Sequence, residues 1–216
     1  MTVAAFFDMD KTLLRINTGT EFGYYLRKHG HIGWLDLVKT MIWGGLYTFS
    51  ILDLDALMAR LVSDLKGKKE KELQALADDF VNTEVLSSVL PKAQQSLLWH
   101  REQGHRLVLL SSALSYTTEP LAAHLGFDAV LCSRLEVQDE TLTGRCLMPI
   151  CFGSGKVYYA EQWAKAEGID LDRSFFYTDS YSDLPMLLRI GNPRVVNADP
   201  RLYFYARKKH WPIERW

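Results

Sequence analysis

The feature that most constrains the fold is an apolar run near the start of the chain that stops abruptly at two carboxylates. Val3 to Phe7 are apolar, and Asp8 and Asp10 follow one residue apart. A short continuous apolar run is typical of a strand buried on both faces, as in a parallel sheet. Ligands of open α/β sheets bind beyond the carboxyl ends of such strands. We therefore expect Asp8 and Asp10 to border a site in which a cation or a shared proton relieves their repulsion.

The rest of the sequence predicts a sheet domain with a helical insertion. From Gly19 to about Leu90 apolar residues recur at helical spacing, and no strand-like run interrupts them. After Pro91, predicted helices alternate with short apolar strands, which is typical of an α/β fold with a doubly wound, mostly parallel sheet. We predict a core formed by residues 1–15 and 91–216, with residues 16–90 forming a helical cap.

The strands and helices expected after Pro91 are short. The predicted strands are Leu107–Leu110, Ala129–Cys132, Phe175–Tyr177 and Arg194–Val196. The predicted helices are Lys92–Gln103, one that ends at Leu125-Gly126, Lys156 to about Glu167 and Leu184–Arg189. A β-hairpin is expected in which Glu136–Gln138 and Leu142–Gly144 flank the turn Asp139-Glu140-Thr141.

Composition excludes several classes of protein. The 216 residues are 48% hydrophobic and 24% charged, which is ordinary globular usage, and a net charge of -1 gives no field that would attract nucleic acid. The three cysteines form no C-x-x-C pair, and no basic-then-apolar signal segment is recognisable, so a cytoplasmic location is expected. The uncharged stretch Thr40 to Leu52 is only 13 residues long, too short to cross a bilayer.

Further polar groups lie where predicted strands end or helices begin. Ser111 follows Leu110, and Asp179 follows the strand that ends at Tyr177. Lys156 and Asp183 lie at the starts of two predicted helices. Because the carboxyl ends of parallel strands meet at one edge of a sheet, these groups would join Asp8 and Asp10 there.

In this order, these groups resemble the four motifs of the haloacid dehalogenase superfamily. The motifs are Asp8-Met9-Asp10-Lys11-Thr12, Ser111, Lys156 and Asp179-Ser180-Tyr181-Ser182-Asp183. The helical insertion after the first motif resembles the subgroup that includes phosphoserine phosphatase. The resemblance implies a Rossmann-like core and a Mg²⁺-dependent phosphomonoester hydrolase. Dehalogenases of this fold lack an acid at the position of Asp10 and need no metal, so a phosphatase is favoured.

The resemblance also implies a role for each motif residue. Asp8 would attack phosphorus and form an aspartyl-phosphate, while Asp10 would protonate the leaving alkoxide and then deprotonate water. Lys156 and Ser111 would hold the phosphoryl oxygens, together with backbone N–H groups around Met9 and Ser112. Ser112 is an alternative to Ser111, which we prefer because it ends the strand.

The implied cofactor is Mg²⁺. Its ligands would be the Asp8 carboxylate, the Asp10 backbone carbonyl and Asp179, and Asp183 would complete this site or orient Lys156. Two simpler interpretations stay open. Asp183 could serve only as the N-cap of the helix that begins near Leu184, and Lys156 could be an ordinary surface lysine.

The substrate is less constrained than the reaction. Phosphoserine phosphatases carry a Glu nine residues beyond the nucleophile to hold the substrate ammonium, but here that position is Asn17, with Glu21 a turn later. Arg60 could bind a substrate carboxylate. Asn17, Glu21 and Arg60 are therefore candidate substrate-binding residues, and phosphoserine is not the first choice.

The predicted cap is unusually apolar and aromatic, which leaves two kinds of substrate open. They are a small phosphorylated metabolite and a lipid phosphate, the latter with peripheral membrane contact through the cap and through the basic segment Arg207–Trp211 with Trp216. The simpler alternative is that the cap buries its own core and the C-terminal segment packs on the sheet. A non-catalytic phosphate-binding regulatory protein and a phosphotransferase are the competing functions.

Overall fold

A six-stranded parallel sheet organises the part of the chain that the computed structural model describes, which is residues 2–31, 33 and 62–216. Its strands are β1 (Ala4–Phe7), β2 (Arg106–Leu114), β3 (Ala129–Ser133), β6 (Phe175–Thr178), β7 (Asn192–Val196) and β8 (Ile213–Glu214). Their order across the sheet is β3-β2-β1-β6-β7-β8, and every neighbouring pair is parallel. The predicted doubly wound sheet is therefore confirmed, with β1 near its centre.

Seven α-helices lie entirely within the described residues. They are α1 (Thr18–Lys28), α2 (Glu70–Phe80), α3 (Pro91–Glu102), α4 (Ser115–Leu125), α5 (Ser154–Glu167), α6 (Leu184–Arg189) and α7 (Pro200–Lys209). Local sequence sets several of these ends. Pro91 and Pro200 occupy first-turn positions, where the missing N–H costs no hydrogen bond. Gly126 takes the left-handed conformation that ends α4.

Helices cover both faces of the sheet, and β1 is buried between them. All four residues of β1 are fully buried. Phe7 belongs to a core cluster that contains Leu97 of α3, while Phe6 belongs to another cluster that contains Ala160 of α5. Successive side chains of a strand point to opposite faces, so a strand covered on both sides must be continuously apolar. This explains the sequence of β1.

The described part of the insertion packs against an antiparallel hairpin formed by β4 (Leu135–Gln138) and β5 (Thr141–Cys146). Gly67 donates a backbone hydrogen bond to Leu142, and Leu142 donates one to Lys68, both at 2.9 Å. A small apolar cluster that includes Val62, Ala77 and Leu142 lies beneath these bonds. The insertion is thus joined to the sheet domain by main-chain contacts as well as side chains.

Some predicted features fall outside the described residues. These are Arg60, the uncharged stretch 40–52 and most of the helical pattern between 54 and 65. The boundaries of the cap at 16 and 90 stay a prediction. In the described parts of the chain, no helix combines the length and apolarity that crossing a membrane requires.

Three local boundaries differ from the prediction. β2 continues past Leu110 to Leu114. Its register with β3 shifts between Ser111 and Leu114, but the backbone stays extended through this irregularity and pairs with β3 again. Thr141 belongs to β5, because the hairpin turns on Asp139 and Glu140 alone, both with positive φ. Lys156 is the third residue of α5 and does not open it.

The C-terminal segment packs on the sheet, which was the simpler of the two interpretations. The basic run 207–209 ends α7, and Ile213 then pairs with Val195 of β7. The ring of Trp216 lies 5.4 Å from that of Tyr177, on the main core. Trp216, which could have anchored this segment to a membrane, therefore packs on the core instead.

A buried histidine, His100, pairs with the half-buried His105 behind the centre of the sheet. His100 is fully buried; its Nε2 is 3.0 Å from the Tyr177 hydroxyl and its Nδ1 is 2.8 Å from Nδ1 of His105. Burial lowers the pKa of His100 to about 3, with His105 and Arg194 adding to the effect. In the unfolded chain His100 takes up a proton as the pH falls through about 6.5. In the native protein it stays neutral at that pH.

We predict that His100 contributes to acid lability. Since only the unfolded state binds this proton, the free energy of unfolding should fall by up to about 1.4 kcal/mol per pH unit as pH drops below about 6.5. A His100→Gln variant should be less stable at pH 7 but should show a smaller decline between pH 7 and 5. Urea unfolding at several pH values measures both. Exposed His124→Gln is the control and should decline like the wild type; an equal decline in His100→Gln would contradict the prediction.

Candidate active site

The carboxyl ends of β1, β2 and β6 meet at one edge of the sheet. Phe7 of β1 pairs with Leu109 of β2 and with Tyr177 of β6. The next residues of each strand therefore leave the sheet side by side, and the Asp8 N–H donates to the Tyr177 carbonyl at 2.9 Å. This register brings Asp8, Ser111 and Asp179 to the same edge.

Lys156 lies at the centre of this edge. Its Nζ is 2.7 Å from Oδ1 of Asp8 and 2.7 Å from Oδ2 of Asp183, and its side chain is 2% exposed. Burial would lower the pKa of Lys156, but the carboxylates of Asp183 and Asp8 outweigh it and hold the pKa above its ordinary value. Lys156 is therefore a charged buried group and not a surface lysine.

Asp183 is placed by the same interactions. It occupies the N-cap position of α6 but makes no side-chain capping bond. Its Oδ2 accepts hydrogen bonds from Lys156 and from the Thr178 hydroxyl, both at 2.7 Å. The interpretation of Asp183 as a mere helix cap is therefore wrong. Thr178 was not predicted, although its position directly before Asp179 was a signal that could have identified it.

Asp10 is tied to the beginning of the insertion. Its Oδ1 accepts a hydrogen bond from the backbone N–H of Thr18, the first residue of α1, at 3.0 Å. Desolvation raises the pKa of Asp10, and the Thr18 hydrogen bond offsets this only in part. The site therefore favours the protonated form of Asp10 more than water does.

The remaining carboxylates, Asp8 and Asp179, carry more negative charge than the nearby Lys156 ammonium alone offsets. Burial raises the pKa of Asp8 to about 7, although the Lys156 ammonium opposes the change. Burial, together with Asp8 and Asp183, raises the pKa of Asp179 to about 8. In the described part of the chain no donor contacts the Asp179 carboxylate. A divalent cation with a preference for oxygen ligands would compensate these charges, so the donor set fits Mg²⁺.

The carboxylates do not enclose an ion by themselves. Among the residues that the structure describes, no three His, Cys, Asp or Glu side chains converge closely enough to hold a metal. A metal beside Asp8 and Asp179 would therefore need other oxygen ligands as well. The backbone carbonyl of Asp10 and the oxygens of a bound phosphate are chemically suitable.

The candidate phosphate-binding groups lie on the loops after β1 and within β2. Ser111 is buried, and its Oγ accepts a hydrogen bond from the Ala113 N–H at 3.2 Å. Ser112 is half-buried, and Met9 is fully buried, so only its backbone can meet a ligand. The structure thus leaves both serines as candidates.

Two candidate substrate-binding residues of the insertion, Asn17 and Glu21, lie in the described part of the chain, and no contact described there joins either side chain to this edge. Asn17 is exposed, and its Oδ1 accepts hydrogen bonds from the N–H and the hydroxyl of Thr20, both at 3.0 Å. It therefore caps α1. Glu21 is half-buried in the first turn of that helix.

Two polar residues after β7 were also missed by the sequence analysis. The Asn197 side-chain amide donates to the Lys11 carbonyl at 2.8 Å, and the Asp199 carboxylate accepts from the Tyr181 N–H at 2.6 Å. Both follow a strand whose carboxyl end lies at the active edge. That position was the only signal in the sequence.

Comparison with known proteins agrees with this geometry. A profile of the haloacid dehalogenase-like hydrolase family matches residues 5–188. A protein of Mycobacterium tuberculosis strain H37Rv named phosphoserine phosphatase is 28% identical over 99% of this chain and 70% of its own length. A histidinol-phosphatase of Neisseria meningitidis is 26% identical over 97% of this chain and 96% of its own.

Solved structures share the fold. A Bordetella pertussis protein of unknown function superposes with a TM-score of 0.90 at 25% identity, covering 99% of each chain. A structure of a phospho-aspartyl intermediate analogue of phosphoserine phosphatase has a TM-score of 0.73 at 20% identity, covering 99% of this chain and 93% of its own. The predicted α/β fold is confirmed by these neighbours, and the family and its named relatives confirm the predicted class of enzyme, a phosphatase. The chain belongs to the haloacid dehalogenase-like hydrolase family.

Proposed function

We propose that the protein is a Mg²⁺-dependent phosphomonoester hydrolase that acts on a small phosphorylated metabolite through an aspartyl-phosphate at Asp8. One observation carries the proposal. The buried ammonium of Lys156 contacts both Asp8 and Asp183 at 2.7 Å, at the edge where ligands of such sheets bind. A carboxylate held beside a fixed cation is suited to attack an anionic phosphate.

In the first step, an oxygen of Asp8 forms a bond to phosphorus as the bond between phosphorus and the leaving oxygen breaks. Lys156 orients Asp8 and reduces the repulsion between carboxylate and phosphate. The Ser111 or Ser112 hydroxyl and backbone N–H groups of the loop after β1 donate to the phosphoryl oxygens. Asp183 and Thr178 hold Lys156 in place, and so act as positioning residues.

Asp10 is the proposed general acid and base. Because desolvation raises its pKa, a larger fraction of Asp10 is protonated before reaction than for a carboxyl in water. The proton passes to the leaving alkoxide, and the resulting carboxylate then takes a proton from the water that attacks the aspartyl-phosphate. The Thr18 N–H donates to Oδ1 of Asp10 and so fixes the carboxyl at the start of α1.

Asp8, Asp179 and the Asp10 backbone carbonyl would hold Mg²⁺, which when bound neutralises charge on the phosphate and the carboxylates. The raised pKa values of Asp8 and Asp179 support this assignment, since the Lys156 ammonium, which is shared with Asp183, compensates their negative charge only in part. Asp183 already accepts two hydrogen bonds on Oδ2, which supports a role in orienting Lys156 over one as a metal ligand.

The proposed substrate is a small monoester whose leaving group the insertion selects. The names of two relatives, phosphoserine phosphatase and histidinol-phosphatase, support a metabolite of this size. Asn17 caps α1 and offers no charge for a substrate ammonium, so we propose a substrate other than phosphoserine. Packing of Trp216 on the core favours a metabolite over a lipid phosphate, because it removes one of the aromatic groups that could anchor the protein to a membrane.

Asp8→Asn should abolish both steady-state turnover and the phosphoenzyme. The fold should persist, because an amide at this buried site carries no charge to desolvate and still accepts from Lys156. Activity, acid-stable labelling with a phosphorylated substrate and the melting temperature measure these three properties. Asp170→Asn, an Asp to Asn change away from the active edge, is the matched control and should stay active. Activity retained in Asp8→Asn would reject the nucleophile assignment.

Asp10→Asn should still form some phosphoenzyme but turn over roughly 10²–10⁴-fold more slowly, since proton transfer to and from a positioned side chain contributes about that much. Rapid-quench measurements separate formation of the phosphoenzyme from its hydrolysis. The effect on formation of the phosphoenzyme should be smallest for substrates with acidic leaving groups, which need no proton, whereas its hydrolysis should be slowed for every substrate. An unchanged rate for an alkyl phosphate would contradict the acid/base role.

The first experiment on substrates is phosphate release from a panel of monoesters, with and without a chelator. The panel includes phosphoserine, histidinol phosphate, sugar phosphates, nucleotides and lipid phosphates in micelles, with Asp8→Asn as the control for each. We expect one small metabolite to dominate and the signal to vanish with EDTA and return with Mg²⁺. Product analysis with added alcohols identifies any phosphotransfer. A chelator-resistant signal would contradict the metal assignment, and a lipid preference would contradict the proposed substrate class.

A further inference from the structure

The segment that follows β7 contacts both loops that carry the proposed catalytic carboxylates. Asn197 and Asp199 lie directly beyond Val196, the last residue of β7. The strand runs parallel to β6 and ends at the same edge of the sheet. Side chains at this position can therefore reach the active edge without belonging to any of the four motifs.

The Asn197 side chain connects two distant parts of the chain. Its Nδ2 donates to the Lys11 carbonyl at 2.8 Å, and its Oδ1 accepts from the Trp216 N–H at 2.9 Å. The backbone N–H of Asn197 also donates to Glu214 at 3.0 Å, which fixes the residue to the end of β8. Its φ is +49°, a left-handed conformation that Asn adopts more readily than most residues.

Lys11, whose carbonyl accepts this hydrogen bond, has a backbone conformation that needs support. It follows Asp10 and has a φ of +54°, which is uncommon for a residue with a Cβ. Its N–H donates to the Ile16 carbonyl at 3.1 Å, while its carbonyl accepts from Asn197. Contacts on both sides of the residue thus hold a turn that would otherwise be unfavourable.

Asp199 supports the loop that follows β6 and contains Asp179. Its N–H donates to the Asp179 carbonyl at 2.8 Å, and its Oδ2 accepts from the Tyr181 N–H at 2.6 Å. Its other oxygen, Oδ1, accepts from the Leu202 N–H at 2.8 Å and so caps α7. One three-residue segment therefore anchors the loop of Asp10 on one side and the loop of Asp179 on the other.

We propose that Asn197 is a positioning residue that fixes the loop after Asp8 relative to the loop of Asp179. This inference rests on the proposed function. Through the Lys11 carbonyl it holds the turn in which the Asp10 carboxyl and backbone carbonyl lie. A displacement of about 1 Å in catalytic groups costs on the order of 10²-fold in rate, so loss of this one hydrogen bond should be visible in kcat.

Two substitutions separate this hydrogen bond from other roles of the residue. Asn197→Asp keeps the acceptor for Trp216 and the left-handed tolerance but loses the donor to Lys11. Asn197→Gly loses the amide without adding charge and accommodates the positive φ. The control is Asn192→Ala, since Asn192 Nδ2 donates to the carbonyls of Arg173 and Ser174, at 2.9 and 3.2 Å, at the opposite end of the same strand.

We expect both Asn197 variants to lose about 10–100-fold in kcat, with KM within about twofold of wild type, while Asn192→Ala keeps its kcat. Amide hydrogen exchange should become faster in residues 9–16 of the Asn197 variants and stay unchanged there in Asn192→Ala. The melting temperatures of the three variants should fall to a similar extent.

Three results would overturn the proposal. They are unchanged exchange in residues 9–16, a kcat loss no greater than in Asn192→Ala, and a rise in KM at constant kcat, which would indicate direct substrate binding. A wild-type protein that releases no phosphate from any monoester would instead contradict the proposed function. In that case the exchange measurement alone decides whether Asn197 holds the loop.

Discussion

The ion pairs of Lys156 are the interaction on which the active edge depends. The ammonium contacts Asp8, at the end of the central strand, and Asp183, at the start of α6, and so joins two carboxylates that would otherwise repel each other. Removing one partner of a buried ion pair costs about 3–5 kcal/mol. The packing of α5, which carries Lys156, against α6, which begins after Asp183, is therefore stabilised by this ion pair. Gly155 makes the approach possible, because a Cβ there would collide with the Ile150 carbonyl oxygen. The backbone of α5 can therefore come close enough to bury Lys156.

Much of this could be predicted from the sequence, because the signals are local. A strand buried on both faces must be apolar throughout, and residues that follow parallel strands must share an edge. These two constraints were sufficient to predict the sheet and to bring Asp8, Ser111 and Asp179 to one place. The paired carboxylates then indicated a cation or a shared proton at that place, and phosphate chemistry followed only from the resemblance to the family. The order of the motifs supplied the family.

What the sequence could not predict depends on tertiary approach. Nothing local distinguishes an Asp183 that caps its helix from one that accepts from Lys156 and Thr178. The hydrogen bond from Asn197 to Lys11 joins residues 186 positions apart, and no periodicity records it. The continuation of β2 past Leu110 likewise depends on a shift in its pairing with β3 and not on its own composition. Such interactions become visible only when the neighbouring element is known.

The position of β1 has a consequence for biosynthesis. Its two neighbours in the sheet are far away in the chain: Ala5 pairs with Leu107 on one side and with Phe175 on the other. A ribosome adds roughly 5–20 residues per second, so this apolar strand is made many seconds before its second partner exists. Until then one of its edges offers unpaired N–H and C=O groups to any other strand. The nucleophile at its end can therefore be assembled into the site only late in synthesis, and the nascent chain depends on protection from aggregation in the meantime.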